Sequence, residues 1–368
     1  MKTHIKNPFT CLGGASTRSR VLPALLAGLG LLLPAFGASA GVVLTSLHSF
    51  QAFTNGAGPS GLVQGSDGSF YGTTSSGGTN NSGTVFKISA NGALTSLYSF
   101  TGGNDGGSPQ AALVQGSDGS FYGTTVWGGT NGGDGTVFKV STSGALTSLY
   151  SFTGGMDGAY PAGLVQRSDG SFYGTTVRGG TNGGDCTVFK VSTNGALTSL
   201  YSFTSSDGGY PQAGLILSGN TLYGTASKRG IWNAGTVFAI NTDGTGFTSL
   251  HSFTALNNQT NSDGAYPQAG LILSGNTLYG TAALGGNSGA GTVFAINTDG
   301  TGFTNLYNFT GGVNGANPQA GLIISGNTLY GTTSGGGSGY DSGTVFAINT
   351  DGTGFTNLHD FPGYDGTP

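Results

Sequence analysis

Short apolar runs alternate with loops rich in Gly, Ser, Asn and Asp from residue 44 to the end of the chain. The runs 84–88 (Thr-Val-Phe-Lys-Ile) and 94–100 (Leu-Thr-Ser-Leu-Tyr-Ser-Phe) are typical. Runs this short, bounded by turn residues and rich in Val, Phe, Tyr and Thr, predict β-strands. Large apolar residues occupy both odd and even positions, whereas a strand with one face in water alternates strictly. The pattern therefore predicts strands that are covered on both faces.

These runs form a repeat with a period of 50 to 56 residues. The word Tyr-Gly-Thr occurs six times, at Tyr71, Tyr122, Tyr173, Tyr223, Tyr279 and Tyr330. Each repeat divides into four β-like runs joined by Asn-Gly, Asp-Gly and Gly-rich turns, which are hairpin signals. Four antiparallel strands in about 51 residues is the size of a β-propeller blade. The sequence therefore predicts an all-β propeller of four-stranded blades, and a β-solenoid is the structural alternative.

The last run of the repeat also occurs once before the first full copy, at residues 44–50. The chain therefore contains the run of the fourth strand seven times. It contains the runs of the first three strands of a repeat only six times. Residues 365–368 (Asp-Gly-Thr-Pro) are similar to the loop that precedes a new first strand elsewhere. We expect six full repeats plus an extra N-terminal strand. That strand belongs either to an incomplete seventh blade or to the edge of six closed blades.

The first 40 residues have the pattern of a secretory signal peptide. A polar, basic start is followed by the apolar run 21–36 and then by the small residues Ala38-Ser39-Ala40. The apolar run is short for a membrane span and is interrupted by Gly and Pro. The sequence predicts a signal peptide at 1–40 and a tandem-repeat propeller domain at 41–368. It also predicts no transmembrane segment after cleavage, and export to the periplasm, the cell surface or the medium.

The composition narrows the classes of partner. Gly accounts for 74 of 368 residues and charged residues for only 7%. All fifteen acidic residues are Asp, which favours turns over helices. Beyond residue 40, seven basic residues face these fifteen Asp, and a mildly acidic chain without a basic cluster is not expected to bind nucleic acid. Cys186 is the single cysteine after the predicted leader, so no disulfide is expected.

The recurring words resemble the GloVer (Gloeo/Verruco) tandem repeat of exported and envelope proteins of bacteria. The resemblance rests on Tyr-Gly-Thr-Thr, a Gly-rich loop, Gly-Thr-Val-Phe-Lys-Ile/Val and Gly-Ala-Leu-Thr-Ser-Leu-Tyr-Ser-Phe, and it covers nearly everything after residue 43. It implies a propeller-like repeat architecture and a location outside the cytoplasm. The family has no established catalytic residues, so the resemblance implies no activity.

The repeats diverge most in the Gly-rich loop between Tyr-Gly-Thr and Thr-Val-Phe, which we call the variable loop. Loops on a rigid scaffold commonly carry binding function. Trp beside Arg or Asp suits stacking on a sugar or anchoring of a protein partner. Sequence drift in a Gly-rich loop is the competing interpretation. The candidate ligand-binding residues are Trp127, Arg178, Lys228, Arg229, Trp232, Tyr340 and Asp341.

A second pattern, Asp/Asn-Gly-x-x-Pro, precedes the first strand of each repeat, and we call it the Asp-Gly loop. Equivalent loops of a propeller lie on one face, where their carboxylates could hold Ca²⁺, a cation that prefers oxygen ligands. Asp-Gly also forms turns by itself, and each loop offers one carboxylate, so we favour the turn interpretation. The candidate calcium ligands are Asp105, Asp157, Asp207 and Asp263. No other cofactor is expected.

Catalytic motifs are missing from the sequence. It contains no H-E-x-x-H, no Walker loop and no distinct Ser-His-Asp set. Its acids recur with the turns, whereas paired-carboxylate chemistry needs two acids in different environments. We expect a non-catalytic exported binding scaffold at the bacterial cell envelope, with a glycan or a protein as ligand. A polysaccharide-acting hydrolase or lyase and a purely structural repeat array are the alternatives.

Overall fold

The computed structural model describes residues 46–51, 54–181, 186–338 and 342–361. The chain divides into two compact units, Met1–Gly41 and Val42–Pro368, and every described residue belongs to the second unit. The predicted signal peptide and its boundary therefore lie outside the described residues. The predicted site residues Tyr340 and Asp341 lie outside them as well.

The described residues form six four-stranded antiparallel blades of a β-propeller, which confirms the predicted fold. In blade 1 the first strand is interrupted, so that its two pieces, β1 and β2, both pair with β3. Blades 1 to 3 comprise β1 (Ala57–Pro59), β2 (Val63–Gln64), β3 (Phe70–Ser76), β4 (Thr84–Ile88) and β5 (Leu94–Ser99); β6 (Val114–Gln115), β7 (Phe121–Thr125), β8 (Thr136–Val140) and β9 (Leu146–Ser151); and β10 (Ala159–Gln166), β11 (Phe172–Arg178), β12 (Thr187–Val191) and β13 (Leu197–Ser202).

The second half of the propeller repeats this order. Blades 4 to 6 comprise β14 (Ile216–Ser218), β15 (Thr221–Ala226), β16 (Thr236–Asn241) and β17 (Thr248–Ser252); β18 (Ile272–Ser274), β19 (Thr277–Ala282), β20 (Thr292–Asn297) and β21 (Thr304–Asn308); and β22 (Ile323–Ser325), β23 (Thr328–Thr333), β24 (Thr344–Asn349) and β25 (Thr356–Asp360). A short 3-10 turn at Gly312–Asn314 is the only helical element within the described ranges. No helix in these ranges has the length and hydrophobicity needed to cross a bilayer.

The fourth strand of every blade contains one extra residue. In blade 1 the register passes from Val85 opposite Tyr98 to Phe86 opposite Ser96, which leaves Leu97 as a β-bulge. The Leu97 carbonyl lies against the hairpin of the next blade, where a Cβ added to Gly144 would approach this oxygen to 2.4 Å. The bulge thus places backbone of one blade against a glycine of its neighbour.

The hydrophobic core lies between blades. The described residues contain five clusters of buried side chains, and each cluster joins one blade to the next. The first combines Tyr71 and Val85 of blade 1 with Leu113, Phe121 and Phe138 of blade 2. The other four use equivalent positions. In blades 2 to 5, which have a described neighbour on each side, both faces of the inner strands are therefore covered, as the apolar residues on both parities predict.

The Gly of Tyr-Gly-Thr is required by this packing. A Cβ added to Gly280 would lie 2.5 Å from the Phe294 ring and 2.9 Å from the Leu271 side chain. Such an approach is closer than van der Waals contact allows, so a side chain here forces the ring or the strand to move. The same contact occurs at each equivalent position, namely Gly72, Gly123, Gly174, Gly224 and Gly331.

The described part of the predicted extra N-terminal strand lies where the fourth strand of a blade would lie. It does not form the backbone hydrogen bonds of a strand pair. Residues 46–50 carry no strand assignment. Phe50 nevertheless packs edge to face on Phe86 with ring centroids 5.1 Å apart, as Phe100 packs on Phe138 at 5.2 Å. A strand needs a hydrogen-bonded partner. The described residues supply no third strand beside 46–50, so the segment keeps the aromatic contact and lacks the pairing.

Replacement of Gly280 by Ala is expected to lower the free energy of unfolding by about 1–3 kcal/mol, the usual cost of forcing an extra methyl group into a packed core. Gly270→Ala in the same blade is the matched control, because its Cβ would meet only ordinary contacts at 3.4 Å or more. The control should change stability by less than about 0.5 kcal/mol. Equilibrium denaturation measures both variants, and equal destabilisation would contradict the packing role.

Candidate functional site

Two kinds of loop meet at one end of each blade. The Asp-Gly loop leads into the first strand, and the variable loop follows the second strand of the same blade. Backbone bridges join Gly107 to Trp127 in blade 2 and Gly209 to Lys228 in blade 4. In blade 3 the corresponding residue, Arg178, is the last residue of β11 and pairs with β10. Side chains that vary between repeats are therefore presented from hydrogen-bonded backbone.

The residue before the Pro of the Asp-Gly loop has a left-handed backbone. Its φ is 58° at Tyr160 and 57° at Tyr210, although residues before Pro are normally extended and bulky residues rarely adopt positive φ. Hydrogen bonds hold this conformation. The Tyr160 N–H donates to the Asp134 carbonyl of the preceding blade at 2.9 Å, and the Tyr210 carbonyl accepts from the Ser227 N–H of its own variable loop at 3.2 Å. The equivalent residues Ser108, Tyr266 and Asn317 have the same conformation, with φ of 54°, 56° and 55°, so it belongs to the repeat.

A cavity of about 550 Å³ lies between blades 2, 3 and 4 at this end of the propeller. Trp127 and Tyr160 meet edge to face in its wall, with ring centroids 4.8 Å apart. Arg178 Cζ lies 5.2 Å from the centroid of Tyr160. Lys228 Nζ lies 5.0 Å from the centroid of Tyr210. These are cation–π distances, so rings and cations hold one another in place along the wall.

The cavity lining is basic and rich in hydrogen-bond donors. Gln110 and Gln212 line it together with the two cations, and no acidic side chain is among the described residues that line it. Trp127 is 51% exposed, so part of its ring is open to a ligand. Aromatic rings offer a flat apolar face, and amides and cations donate to hydroxyl and carboxylate oxygens. The arrangement can hold a polar ring-shaped ligand that carries negative charge.

The cavity brings together part of the predicted set of ligand-binding residues. Three of them line it: Trp127, Arg178 and Lys228. Trp232 and Arg229 do not line it. The Trp232 side chain is 55% exposed, while the Arg229 Nη1 donates to Ser205 Oγ at 3.2 Å. The variable loops of three successive blades therefore contribute to one site, and the second Trp stands apart from it.

Four polar or aromatic lining residues were not predicted from the sequence: Gln110, Tyr160, Tyr210 and Gln212. The sequence does vary between repeats at the position of two of them, Tyr160 and Tyr210. The residue before the Pro of the Asp-Gly loop changes between repeats, from Ser108 in blade 2 to Tyr in blades 3 and 4. Because a position before Pro is expected to be extended, nothing in the pattern indicated that this side chain points into a cavity.

The four predicted calcium ligands each serve their own loop: Asp105, Asp157, Asp207 and Asp263. The Asp105 carboxylate accepts hydrogen bonds from Tyr98 Oη at 3.0 Å and from the Thr101 N–H at 2.8 Å. The next two loops repeat these contacts, and His251 replaces the Tyr beside Asp263, at 2.9 Å. In the part of the chain that the structure describes, no three His, Cys or Asp side chains are grouped to hold a metal ion. The geometry supports the turn interpretation of this pattern.

These contacts shift the pKa values of their partners. Burial and the hydrogen bond to Asp105 raise the pKa of Tyr98 to about 12. Burial alone would raise the pKa of Asp263, but hydrogen bonds from His251 and Thr254 outweigh it and hold this pKa below its ordinary value. A lowered carboxylate pKa stabilises the fold above the unfolded-state pKa of about 4. That stabilisation is lost as the pH falls through the folded-state pKa.

The substitution Asp263→Asn is expected to lower the free energy of unfolding by about 1–3 kcal/mol at neutral pH, because hydrogen bonds to a charged acceptor are lost. The difference from the parent should shrink as the pH falls below about 4, where Asp263 of the parent becomes protonated. Asp299→Asn is the control, since Asp299 is exposed and its side chain bonds only Thr301 of its own hairpin; a smaller effect is expected. Denaturation curves of both variants and the parent at several pH values measure this difference. A loss of stability in Asp263→Asn that does not depend on pH would contradict a role for the ionised carboxylate.

Comparison with known proteins agrees with this architecture. A family model described as the Gloeobacter/Verrucomicrobia repeat matches residues 36–238 and 216–368. No curated protein matches the chain. A protein of Bacteroides uniformis assigned as a 6-phosphogluconolactonase superposes with a TM-score of 0.54 at 17% identity, covering 81% of this chain and 83% of that one. A puromycin-hydrolyzing peptidase of Mycobacterium tuberculosis has a TM-score of 0.54 at 12% identity, covering 86% of this chain and 47% of that one. At these identities the likeness shows the fold alone.

Proposed function

This chain belongs to the Gloeobacter/Verrucomicrobia repeat family, and we propose that it is a non-catalytic binding scaffold of the bacterial cell envelope. Its ligand is a glycan that binds in the cavity between blades 2, 3 and 4. The observation that carries the proposal is the convergence of Trp127, Arg178 and Lys228 from three separate variable loops on one cavity. Residues 50 residues apart in sequence meet there because each occupies the same place in its own blade.

The chemistry of the lining favours an acidic saccharide. Trp127 offers an exposed aromatic face, and sugar rings present apolar C–H faces that stack on such rings. Arg178 and Lys228 supply positive charge in a chain whose repeat region is acidic overall. A carboxylate of a uronic acid can accept paired hydrogen bonds from Arg, which are stronger than neutral ones. A protein ligand that presents acidic side chains would use the same groups and is the second candidate.

A polysaccharide hydrolase or lyase on the same face is the alternative from another class. Hydrolysis of a glycosidic bond usually needs two carboxyl groups that flank it. The described residues lining the cavity include no carboxyl group, whereas they include two cations and several aromatic rings. The site therefore supports recognition of a saccharide better than its hydrolysis, and loss of polymer length without uptake of water would identify a lyase instead.

An array of neutral and acidic polysaccharides, the latter including alginate and polygalacturonate, tests the binding proposal. We expect selective binding to acidic members. Trp127→Ala should weaken it at least about tenfold, because truncation of a hot-spot Trp costs about 2 kcal/mol or more. Arg178→Gln with Lys228→Gln should remove the preference for acidic members and reduce the dependence on salt. The matched control is Trp232→Ala, which removes the other exposed Trp outside the cavity and should leave binding unchanged. No binding by the folded chain, or equal loss in both Trp variants, would contradict the proposal.

We also propose that residues 1–40 direct export and are then removed. The support is the order of basic, apolar and small residues in this segment. Expression in a Gram-negative host should yield a chain that starts at Gly41 in the periplasm or the medium, as measured by intact mass. Substitution of Ala38 and Ala40 by bulky residues should block the cleavage. An unprocessed chain that remains in the cytoplasm would contradict this proposal.

A further inference from the structure

A second cavity adjoins the one between blades 2, 3 and 4. It has a volume of about 490 Å³ and lies between blades 4 and 5, at the same end of the propeller. Gln212 and Lys228 line both cavities, so the two volumes are neighbours along the ring. The other described lining residues come from the variable loop of blade 4 and from the entry to blade 5, namely Ser227, Asn233, Tyr266 and Gln268.

Hydrogen bonds from two blades fix the backbone around the second cavity. The Tyr266 N–H donates to the Ala234 carbonyl of blade 4 at 2.7 Å, and the Tyr266 carbonyl accepts from the Ala283 N–H of blade 5 at 3.2 Å. On the other side of the cavity, Ser227 Oγ donates to the Tyr210 carbonyl at 2.9 Å. A wall held in this way does not have to be ordered by the ligand, which lowers the entropic cost of binding.

Amide side chains supply most of the polar groups that line the second cavity. Within the described residues, neither Gln212 nor Gln268 forms a hydrogen bond through its side chain. The Asn233 Oδ1 accepts from the Arg229 N–H at 3.2 Å, which leaves the Asn233 amide NH2 group as a donor. An amide side chain both donates and accepts hydrogen bonds, as the hydroxyl and acetamido groups of sugars do. The lining of the second cavity therefore suits an uncharged sugar unit.

The two cavities differ in charge. Arg178 and Lys228 both line the first cavity, whereas Lys228 is the one cation among the described residues that line the second. Lys228 Nζ lies 5.0 Å from the centroid of the Tyr210 ring, and this ring lines the first cavity but not the second. No described residue of the second lining is acidic. Positive charge is therefore concentrated in the first cavity, and the second is polar with little charge of its own.

The polar lining of the second cavity is not a general property of the repeat. At the next interface, between blades 5 and 6, Leu284 takes the place of Lys228 in the bridge to the Asp-Gly loop. Asn317 takes the place of Tyr266 before the Pro. Gln319 follows that Pro as Gln268 follows its own, and it is exposed. The cation and the ring are therefore specific to the stretch from blade 2 to blade 5, which is the stretch that the two cavities cover.

We propose that the glycan site continues into the second cavity, which holds an uncharged sugar unit joined to the acidic unit in the first cavity. This inference rests on the proposed function and deepens it, because it makes the ligand a segment of a linear polysaccharide in which acidic and uncharged sugars are neighbours. The volumes of about 550 and 490 Å³ each fall in the range of about 300–1,000 Å³ that is typical of a site for one small ligand. A single sugar ring therefore does not reach both linings, whereas a chain of rings does.

The test compares three ligands of the purified chain. A fluorescently labelled hyaluronan tetrasaccharide, in which glucuronic acid alternates with uncharged N-acetylglucosamine, is followed by anisotropy. Unlabelled glucuronate, tetragalacturonate and the hyaluronan tetrasaccharide then compete with it. We expect the hyaluronan tetrasaccharide to bind at least about tenfold more tightly than glucuronate, because it reaches the second cavity. It should also bind at least about threefold more tightly than tetragalacturonate, whose every unit is charged and would place a carboxylate among neutral amides.

Two substitutions of Gln268 separate the second cavity from the first. Gln268→Ala should weaken binding of the hyaluronan tetrasaccharide about threefold to tenfold, the usual effect of one lost hydrogen bond, and should leave binding of glucuronate unchanged. Gln268→Arg places a cation in the second cavity and should reverse the preference in favour of tetragalacturonate. The matched controls are Gln319→Ala and Gln319→Arg in blade 6, which make the same changes outside both cavities and should behave like the parent.

The results separate this inference from the proposed function. If the hyaluronan tetrasaccharide binds no more tightly than glucuronate, or if the parent prefers tetragalacturonate, the extension into the second cavity is wrong and the proposed function stands. Equal effects of the Gln268 and Gln319 substitutions would overturn the extension in the same way. If none of the three ligands binds and the polysaccharide array is negative as well, both the proposed function and the extension are wrong. The comparison of ligands in the parent needs no variant, so it decides even where a variant fails to fold.

Discussion

Contact between the faces of neighbouring blades is the interaction on which the rest of this structure depends. A sheet of four short strands has no interior of its own, so each blade buries its apolar side chains against the next one. This explains why apolar residues occupy both parities of each strand and why charge is so sparse in the sequence. It also explains the Gly of Tyr-Gly-Thr, because the Phe ring of the third strand and a Leu of the first lie where a Cβ would be.

The loops at one end of the blades use this rigid packing to bring distant residues together. The Asp-Gly loops of blades 2, 5 and 6 bond to the variable loop of the preceding blade and to that of their own blade, through Ser108, Tyr266 and Asn317. The carboxylates of these loops hold the turns, since Asp105 is engaged by Tyr98 and Thr101. The acids thus stabilise the loops, and aromatic and basic side chains of blades 2 to 4 line the cavity beside them.

The repeat period, the strands and the propeller could be predicted because the same words recur with hairpin signals between them. The lining of the cavity could be predicted in part, because Trp127, Arg178 and Lys228 interrupt an otherwise uniform pattern. The rest depends on three-dimensional geometry. The bulge at Leu97 has no signal in the repeated sequence. The left-handed backbone of Tyr160 is contrary to the usual preference for extended backbone before Pro. Convergence of three loops on one cavity, and separation of Trp232 from it, are visible only once the blades are arranged.

Residue-resolved hydrogen exchange under native conditions tests the central claim most directly, because protection reports local stability. If packing between blades holds the fold, strand amides of blades 3 and 4, which are covered on both faces, should exchange slowest. Those of β22 and β23 in blade 6 and of β2 in blade 1 should exchange markedly faster, because the described residues leave Ile323 and Leu62 beside these strands largely exposed. Equal protection in all six blades would contradict the account, since it would mean either that the ring is closed or that each blade is stable without its neighbours.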